Sequence, residues 1–289
     1  MTKTYFERKQ KSLNKVAVSS AVGAVVVKIL LIALAVCTLF PFVWMVFTTM
    51  KTKGDILANP ASLLPQKFVF DTYVSIWSEV PFASYFKNSL VFAGLVMVIS
   101  LLFDSLAGYA FARIKFKGHN VVFLLILCTM MIPFQVTMTP LFLMINKMGL
   151  YDSFAGLVIP KMADAFGIFM MRQFFLTLPA ELEEAGRIDG TSEIGIFFRI
   201  MLPLCKPIFI TLGVFTFMGN WNDLLYPMII TSSEKYRPIQ AAIALFAGKY
   251  GIEYNFFMTG LVLAAVPLII AYLFAQKYFV EGIAMTGIK

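Results

Sequence analysis

Long apolar runs separated by short polar segments dominate the pattern of this 289-residue chain. Within each run the apolar residues are continuous and do not alternate with polar ones, which favours helices over the strands of a membrane barrel. A helix needs about 20 residues to cross the hydrocarbon core of a bilayer. We therefore predict an all-α membrane protein. Its six transmembrane helices are predicted at about residues 30–47, 89–111, 121–144, 157–175, 207–226 and 256–274.

Composition supports this class and excludes others. The chain is 60% hydrophobic and 14% charged, with a mean hydropathy of +0.82, whereas soluble domains carry about 25% charged residues. The net charge of +8 is accounted for by lysines and arginines that flank the apolar runs. We therefore predict that the chain has membrane lipid as a partner and does not bind nucleic acid.

Basic residues in short connections set the predicted orientation, because such segments resist translocation. They cluster within residues 3–15, 113–117 and 172–206, which alternate as cytoplasmic segments. Both termini are then cytoplasmic, with an N-terminal tail at 1–29 and a C-terminal tail at 276–289. No small-residue cleavage site follows the first apolar run, so we expect residues 30–47 to remain as a span.

Catalytic and cofactor motifs are missing from the sequence. ATP binding would need a phosphate cradle such as G-x-x-x-x-G-K-[ST], and the only Gly-Lys pair, Gly248–Lys249, is followed by Tyr250. The one histidine, His119, and three scattered cysteines offer no metal-ligand spacing. We therefore predict a chain that is not an enzyme and that binds no cofactor or metal.

The polar segment at residues 179–203 is predicted to fold as two short helices joined by a glycine, an elbow at the membrane surface. Glutamates near the start of residues 179–189 suit the positive end of a helix, and Asp189–Gly190 provides a stop. Thr191 or Ser192 can cap the second helix, which Leu202–Pro203 ends. One face of the first helix suits a groove on another protein; it comprises Leu182, Ala185, Gly186 and Asp189. The alternative is a solvated loop whose charges keep it out of the bilayer.

The spacing of the elbow residues resembles a known signature. Glu184-Ala185-Gly186, then Gly190, Ile200 and Leu202-Pro203, resembles the EAA motif of permease subunits of bacterial ATP-binding-cassette (ABC) importers. The third position is usually alanine in that family, and a glycine inside a helix costs about 0.5–1 kcal/mol relative to alanine. Other stretches are similar to the shorter permease of carbohydrate importers, of the maltose-transporter type; they are residues 40–51, 88–89, 109–113, 221–223 and 278–289.

This resemblance implies an ABC importer type I permease fold with a core at 85–275 and the elbow as a coupling element. It also implies a heterodimer with a second permease subunit, a pair of ATPase subunits that consume the ATP, and an extracytoplasmic sugar-binding protein. The implied location is the bacterial cytoplasmic membrane, and the implied function is carbohydrate import. Its implied ATPase-coupling residues are Glu184, Ala185, Gly186, Asp189, Gly190, Ile200, Leu202 and Pro203.

Two further segments carry predicted roles. By the same resemblance, residues 232–251 help to displace sugar from the binding protein through Lys235, Arg237, Gln240 and Tyr250; the alternative is an ordinary loop. Trp221-Asn222-Asp223 is interpreted as an aromatic interface anchor with a polar helix end, or as part of the sugar path.

A different class, a secondary sugar transporter driven by an ion gradient, would use ionisable residues inside the membrane. Asp104, Lys161 and Asp164 are the candidates. Lys161 and Asp164 could instead pair on one helix face, and Asp104 could lie at the interface or contact Arg113. The elbow favours the ABC importer, because an ion-driven carrier has no reason to display an ATPase docking site.

Overall fold

The computed structural model describes the backbone of residues 2–249 and 254–287, and the side chains of residues 23–245 and 254–276. Helices connected by short turns make up this part of the chain, and no strand occurs in it. The chain divides into two compact units, Met1–Thr72 and Tyr73–Lys289. The all-α fold predicted from the apolar runs is confirmed.

The first unit contains α1 (Thr2–Thr49) and α2 (Lys53–Ala58). Helix α1 is longer than the predicted span, because its helical backbone continues through most of the predicted N-terminal tail. The side chain of Thr52 caps α2 by accepting a hydrogen bond from the amide of Asp55 at 3.1 Å. Asp55 in turn accepts the amide of Gln66 at 3.0 Å, which orders the segment after α2.

The second unit holds the remaining helices, and α3 begins just before it. They are α3 (Asp71–Glu79), α4 (Phe82–Arg113), α5 (His119–Thr129), α6 (Phe134–Lys147), α7 (Phe154–Val158), α8 (Ala165–Thr177), α9 (Glu181–Ile188), α10 (Glu193–Ile196), α11 (Leu202–Leu204), α12 (Lys206–Trp221), α13 (Leu225–Ile230), α14 (Ile239–Lys249) and α15 (Tyr254–Gly287). A 3₁₀ turn, Ile159–Lys161, extends α7, and a π-helical turn, Phe197–Met201, joins α10 to α11.

Three helical stretches of the described chain are long and apolar enough to cross a membrane, namely Gly23–Thr49, Phe82–Arg113 and Tyr254–Gln276. Three helix pairs meet the same criterion only together and are bent at their junctions. The bends are 99° between α5 and α6, 43° between α7 with its 3₁₀ turn and α8, and 81° between the α10–α11 segment and α12. Counting each pair as one span gives the six that the sequence predicts.

Prolines account for the bends in part. Pro133 immediately precedes α6, where its ring restricts the preceding residue to extended backbone and ends the helical path of α5. The predicted span at 121–144 is therefore two helices. Pro140 and Pro267 lie inside α6 and α15 without ending them.

Helix α4 is the centre of the second unit and packs against α8 and α12. The closest approach of α4 to α8 is at Gly108, where an added Cβ would lie 2.7 Å from Cβ of Met171 and 2.8 Å from the backbone nitrogen of Arg172. Only glycine permits this separation, because the obstructing atoms belong to the neighbouring backbone and to a Cβ fixed to it. By contrast, nothing lies within 4 Å of the equivalent position on Gly94.

We expect Gly108→Ala to destabilise the protein by about 1–3 kcal/mol, since the methyl group must push α8 away from α4. Gly94→Ala in the same helix should be neutral or slightly stabilising, because alanine is the better helix former. Thermal unfolding of the two variants in detergent measures the difference. Equal melting temperatures would show that the α4–α8 separation is not fixed at Gly108.

Candidate functional site

The elbow begins with α9, and this helix ends where the sequence predicts. Gly190 has φ of +75°, a left-handed conformation that favours glycine. The amide of Thr191 donates to the carbonyl of Gly186 at 2.9 Å, and the amide of Gly190 donates to the carbonyl of Arg187 at 3.1 Å. This pair of bonds is a Schellman motif, which closes the C-terminal end of α9.

The second half of the elbow is more complex than predicted. Ser192, one of the two predicted caps, accepts the amide of Gly195 at 3.2 Å and starts α10. The chain then passes through the π-helical turn into α11. Leu202–Pro203 was expected to end this helix, but Pro203 lies in the first turn of α11, where its missing N–H is not needed. The helix ends at Leu204, and the chain bends by 81° into α12.

The two halves of the elbow pack through Gly186. An added Cβ on this residue would lie 2.7 Å from Cδ1 of Ile200 and 3.2 Å from Cγ1 of Ile196. Gly186 is buried, so its predicted place on the outer docking face is wrong. The other three residues of that face, Leu182, Ala185 and Asp189, are exposed as predicted.

The outward surface of α9 carries both charge and apolar groups. Glu184 is exposed, and Ile188, which the sequence analysis did not select, is 86% exposed. Leu182 is 37% exposed. Exposed aliphatic side chains beside carboxylates are suited to a groove with an apolar floor and a basic rim.

We expect Gly186→Ala to destabilise the elbow by about 1 kcal/mol, because the new methyl group displaces the tip of Ile200. Ile200→Val removes that Cδ1 atom, and the double variant should recover the loss. A double-mutant cycle of unfolding in detergent should therefore give a coupling of at least about 0.5 kcal/mol. Strictly additive effects would contradict this packing.

A buried ion pair fastens the elbow to the membrane helices. Nε of Arg113, at the end of α4, lies 3.0 Å from Oε1 of Glu183 in α9. The two side chains are 12% and 5% exposed. Burial raises the pKa of the Glu183 carboxyl, and the positive charges of Arg113 and Arg187 oppose that rise. Removal of Arg113 would leave this carboxylate buried without its nearest positive partner.

Arg113 also caps α8. Its Nη2 donates to the carbonyls of Phe175 at 2.7 Å and Leu178 at 2.6 Å, which are acceptors at the negative end of that helix. In return, Nε of Arg172 in α8 donates to the carbonyl of Phe111 at 3.2 Å, near the end of α4. Each helix therefore supplies an arginine that binds the C-terminal carbonyls of the other.

Aromatic rings continue the connection from the elbow into the membrane helices. The ring centroid of Tyr109 in α4 lies 5.4 Å from that of Phe175 in α8 and 5.3 Å from that of Phe197 in the π-helical turn. All three rings are buried. Because packed cores transmit displacement, a shift of the elbow must move α4 and α8 with it.

We expect Arg113→Gln to destabilise the protein by up to about 3–5 kcal/mol, since it leaves the buried Glu183 with only Arg187, 3.5 Å away, as a positive partner. Glu193→Gln is a control: it breaks the exposed pair in which Nε of Arg187 lies 2.7 Å from Oε1 of Glu193, and it should have little effect. Melting temperatures in detergent test the contrast. Adding Glu183→Gln to Arg113→Gln should recover part of the loss, and a further loss would contradict the pairing.

The break between α7 and α8 is organised by carboxylates from two helices. Asp164 has extended backbone and caps α8 by accepting the amide of Gly167 at 3.1 Å. Asp104 of α4 is fully buried and accepts the amide of Asp164 at 2.8 Å and the hydroxyl of Ser100 at 2.6 Å. Asp104 therefore binds Ser100 and Asp164, and its expected contact with Arg113 is wrong.

Lys161 pairs with a distant residue, not with Asp164 as proposed. Its Nζ lies 2.6 Å from Oδ2 of Asp223 and 4.9 Å from the ring centroid of Tyr226. The 3₁₀ turn ends at Lys161, and Asp164 leaves the helical path, so the spacing that would pair them on one helix face is absent. The candidate ionisable residues therefore hold helix ends together.

The Trp-Asn-Asp segment is structural at two of its positions. Trp221 is 1% exposed and donates through Nε1 to the carbonyl of Ala264 at 3.0 Å. It is a core residue, so its interpretation as an interface anchor is wrong. Asp223 pairs with Lys161 and also accepts the amide of Tyr226 at 3.2 Å at the start of α13. This second contact is the polar helix end that the sequence predicts.

Residues 232–251, called the outer segment after their predicted position, are tied closely to α4. Asn88 donates through Nδ2 to the carbonyls of Lys235 and Arg237, both at 3.0 Å. Ser89 accepts the amide of Ile239 at 2.7 Å, where α14 begins. Helix α14 occupies most of this segment, so it is not an ordinary loop. Four residues of α14 are buried, namely Ile239, Ala241, Ala242 and Ile243.

The polar residues predicted in this segment have separate environments. Lys235 is exposed with its Nζ 4.9 Å from the ring centroid of Tyr236, and Arg237 donates to the carbonyl of Ser232. Nε2 of Gln240 donates a hydrogen bond to Oδ1 of Asn222 at 3.3 Å. Tyr250 lies outside the described residues.

A partly exposed carboxylate fixes the start of the outer segment. Asp152 accepts the amides of Ser232 at 3.0 Å and Ser233 at 3.1 Å. Burial opposes the charge on Asp152, but its hydrogen bonds with Ser233 and Ser232 prevail and lower the pKa of this carboxyl.

Of two site residues that the sequence analysis did not select for the elbow, Glu183 had a weak signal in the sequence and Arg113 had none. Glu183 adjoins the EAA signature and lies four positions before Arg187, a spacing that predicts the pair seen at 3.5 Å. The roles of Arg113 in capping α8 and binding Glu183 had no local signal, because both partners lie more than 60 residues away in sequence. Within the described side chains, no group of three or more His, Cys, Asp or Glu residues could hold a metal ion.

Comparison with known proteins gives one family match. Residues 104–285 match the family described as "Binding-protein-dependent transport system inner membrane component". The arabinooligosaccharides transport system permease protein AraQ of Bacillus subtilis is 35% identical over 259 residues, covering 89% of this chain and 92% of AraQ. The trehalose/maltose transport system permease protein MalG of Thermococcus litoralis is 32% identical over 263 residues, covering 89% and 94%.

A solved structure has a similar fold. It is a chain of a bacterial ABC transporter involved in the import of the acidic polysaccharide alginate. The TM-score is 0.81 at 25% sequence identity, and the match covers 90% of this chain and 98% of the other.

Proposed function

Because the chain belongs to the family of binding-protein-dependent transport system inner membrane components, we propose that it is the permease through which a bacterial ABC importer takes up a carbohydrate. The family prediction made from the elbow signature is thereby confirmed. The names of AraQ and MalG, which refer to arabinooligosaccharides and to trehalose and maltose, support a carbohydrate as the substrate.

The elbow supports the proposed mechanism. Glu184, Ala185 and Ile188 are exposed on one side of α9, while Glu183 and Gly186 on the other side are buried. A helix that is fixed on one side and open on the other can receive a push from a partner and pass it to α4 and α8. In the proposed complex this partner is an ATPase subunit, and Glu184 and Ile188 enter its groove.

The proposed assembly contains a second permease subunit, an ATPase pair that consumes ATP and an extracytoplasmic sugar-binding protein. The elbow lies on the cytoplasmic side of the bacterial cytoplasmic membrane in this proposal, with both termini on the same side. Lys235, Arg237 and Gln240 lie in the outer segment, which faces the binding protein. The bonds from Asn88 and Ser89 hold this segment against α4, so it serves as a firm docking edge.

Glu184→Lys should leave the chain inserted and assembled but reduce sugar uptake at least about tenfold, because reversing a charge at an interface costs several kcal/mol. Glu79→Lys is the matched control, since Glu79 is exposed, lies outside the elbow and undergoes the same change of charge. Uptake is measured in proteoliposomes that contain the complete importer with ATP.

Collapsing the proton and sodium gradients in the same vesicles separates this function from an ion-driven carrier. We expect uptake to persist with ATP and collapsed gradients, and to stop without ATP. Loss of uptake when the gradients are collapsed would overturn the ABC importer proposal. Equal uptake by Glu184→Lys and Glu79→Lys would remove Glu184 from the docking surface while leaving the importer function in place.

A further inference from the structure

A partly open cavity of about 400 Å³ lies where α4, the break before α8 and α12 meet. Sites for small ligands usually measure about 300–1,000 Å³, so this cavity has room for a small ligand. Its walls include Ser100, Lys161, Asp164, Phe166, Phe215 and Asn220. None of these residues belongs to the elbow, and the coupling mechanism does not use the cavity.

One buried group in this wall has an unmet hydrogen-bonding requirement. Asn220 is 8% exposed, and its Nδ2 donates to the carbonyl of Thr216 at 2.8 Å. That bond fixes the amide orientation, because a carbonyl cannot donate to Oδ1. Within the described part of the chain, Oδ1 of Asn220 is buried without a hydrogen-bond partner. Since an unpaired buried acceptor is costly, a donor from a ligand would stabilise this site.

The charged groups of the cavity suit a neutral ligand. The ammonium of Lys161 is already balanced by Asp223, and one oxygen of Asp164 caps α8. An ammonium has three donors and a carboxylate about four acceptor positions, so both groups can make further hydrogen bonds. A ligand that both donates and accepts, and that carries no charge of its own, matches this arrangement.

The aromatic walls complete the match. Phe166 is 40% exposed and Phe215 is 52% exposed, which is high for phenylalanine rings that line the same cavity. Ligand sites commonly combine apolar walls with a few placed polar groups. A sugar ring has this dual character, since its C–H groups are apolar and its hydroxyls donate and accept.

We propose that this cavity is a carbohydrate-contact site within this subunit, in which Oδ1 of Asn220 accepts a sugar hydroxyl. Lys161 and Asp164 bind neighbouring hydroxyls, and the rings of Phe166 and Phe215 cover an apolar edge of the ligand. The choice of a carbohydrate rests on the proposed function, whereas the cavity and the unpaired acceptor are features of the fold. This subunit then contacts the cargo as well as relaying force to it.

Sugar-stimulated ATP hydrolysis by the complete importer in proteoliposomes tests the role of Asn220, with maltose, lactose and arabinotriose as probes. We expect Asn220→Leu to raise the half-saturating concentration of the stimulating sugar by about three- to tenfold, the factor for one neutral hydrogen bond. Asn120→Leu, at an exposed asparagine outside the cavity, should leave it unchanged.

Cysteine protection provides a measurement that keeps Asn220 intact. Gly219 lines the cavity, and nothing lies within 4 Å of an added Cβ there. In a Cys37→Ser, Cys128→Ser background, the same sugar should slow maleimide alkylation of Gly219→Cys at least about threefold. Gly94→Cys, which is equally uncrowded but outside the cavity, should show no protection. If Asn220→Leu fails to assemble, this measurement decides the question.

The outcomes separate the cavity from the importer function. A sugar that stimulates the wild-type importer but neither protects Gly219→Cys nor has its half-saturation changed by Asn220→Leu overturns the cavity proposal alone. If no sugar stimulates ATP hydrolysis and none protects Gly219→Cys, both the carbohydrate function and the cavity proposal fail.

Discussion

The contacts of the Arg113 guanidinium hold the elbow and the membrane helices of the second unit together. It binds the carboxylate of Glu183 and two carbonyls at the end of α8, so one side chain fastens three helices. A charged group of this kind is stable in a buried position when an opposite charge and hydrogen bonds replace its contacts with water. The elbow is therefore attached to the membrane helices at a fixed point, and it cannot move as an independent loop.

Close backbone packing between α4 and α8 reinforces the contacts of Arg113. Gly108 allows α4 and α8 to approach until their backbones touch, and Arg172 returns the capping bond from α8 to α4. The two helices consequently behave as one rigid body beneath the elbow. A rigid body suits the proposed function, in which a push on the elbow opens and closes a path within the membrane.

Ionisable residues inside the helical bundle act mainly as fasteners for broken helices. Asp104 and Asp164 bind backbone amides at the break before α8, and Lys161 joins that break to Asp223 beyond α12. Each break exposes backbone groups that lipid cannot satisfy, so side chains of neighbouring helices must supply the partners. The same break opens the cavity next to Asn220, which links the irregular backbone to the proposed path of the cargo.

The sequence by itself determined the all-α class, six apolar segments, the stop at Gly190 and the family, because run length, local turn chemistry and motif spacing are local properties. Only the tertiary structure decided that Gly186 faces Ile200, that Lys161 binds Asp223 and that Trp221 is in the core. Each ionisable side chain had several partners compatible with its position in the sequence. The choice among them depends on which helices pack together and on where a helix breaks, and these contacts join residues that are far apart along the chain.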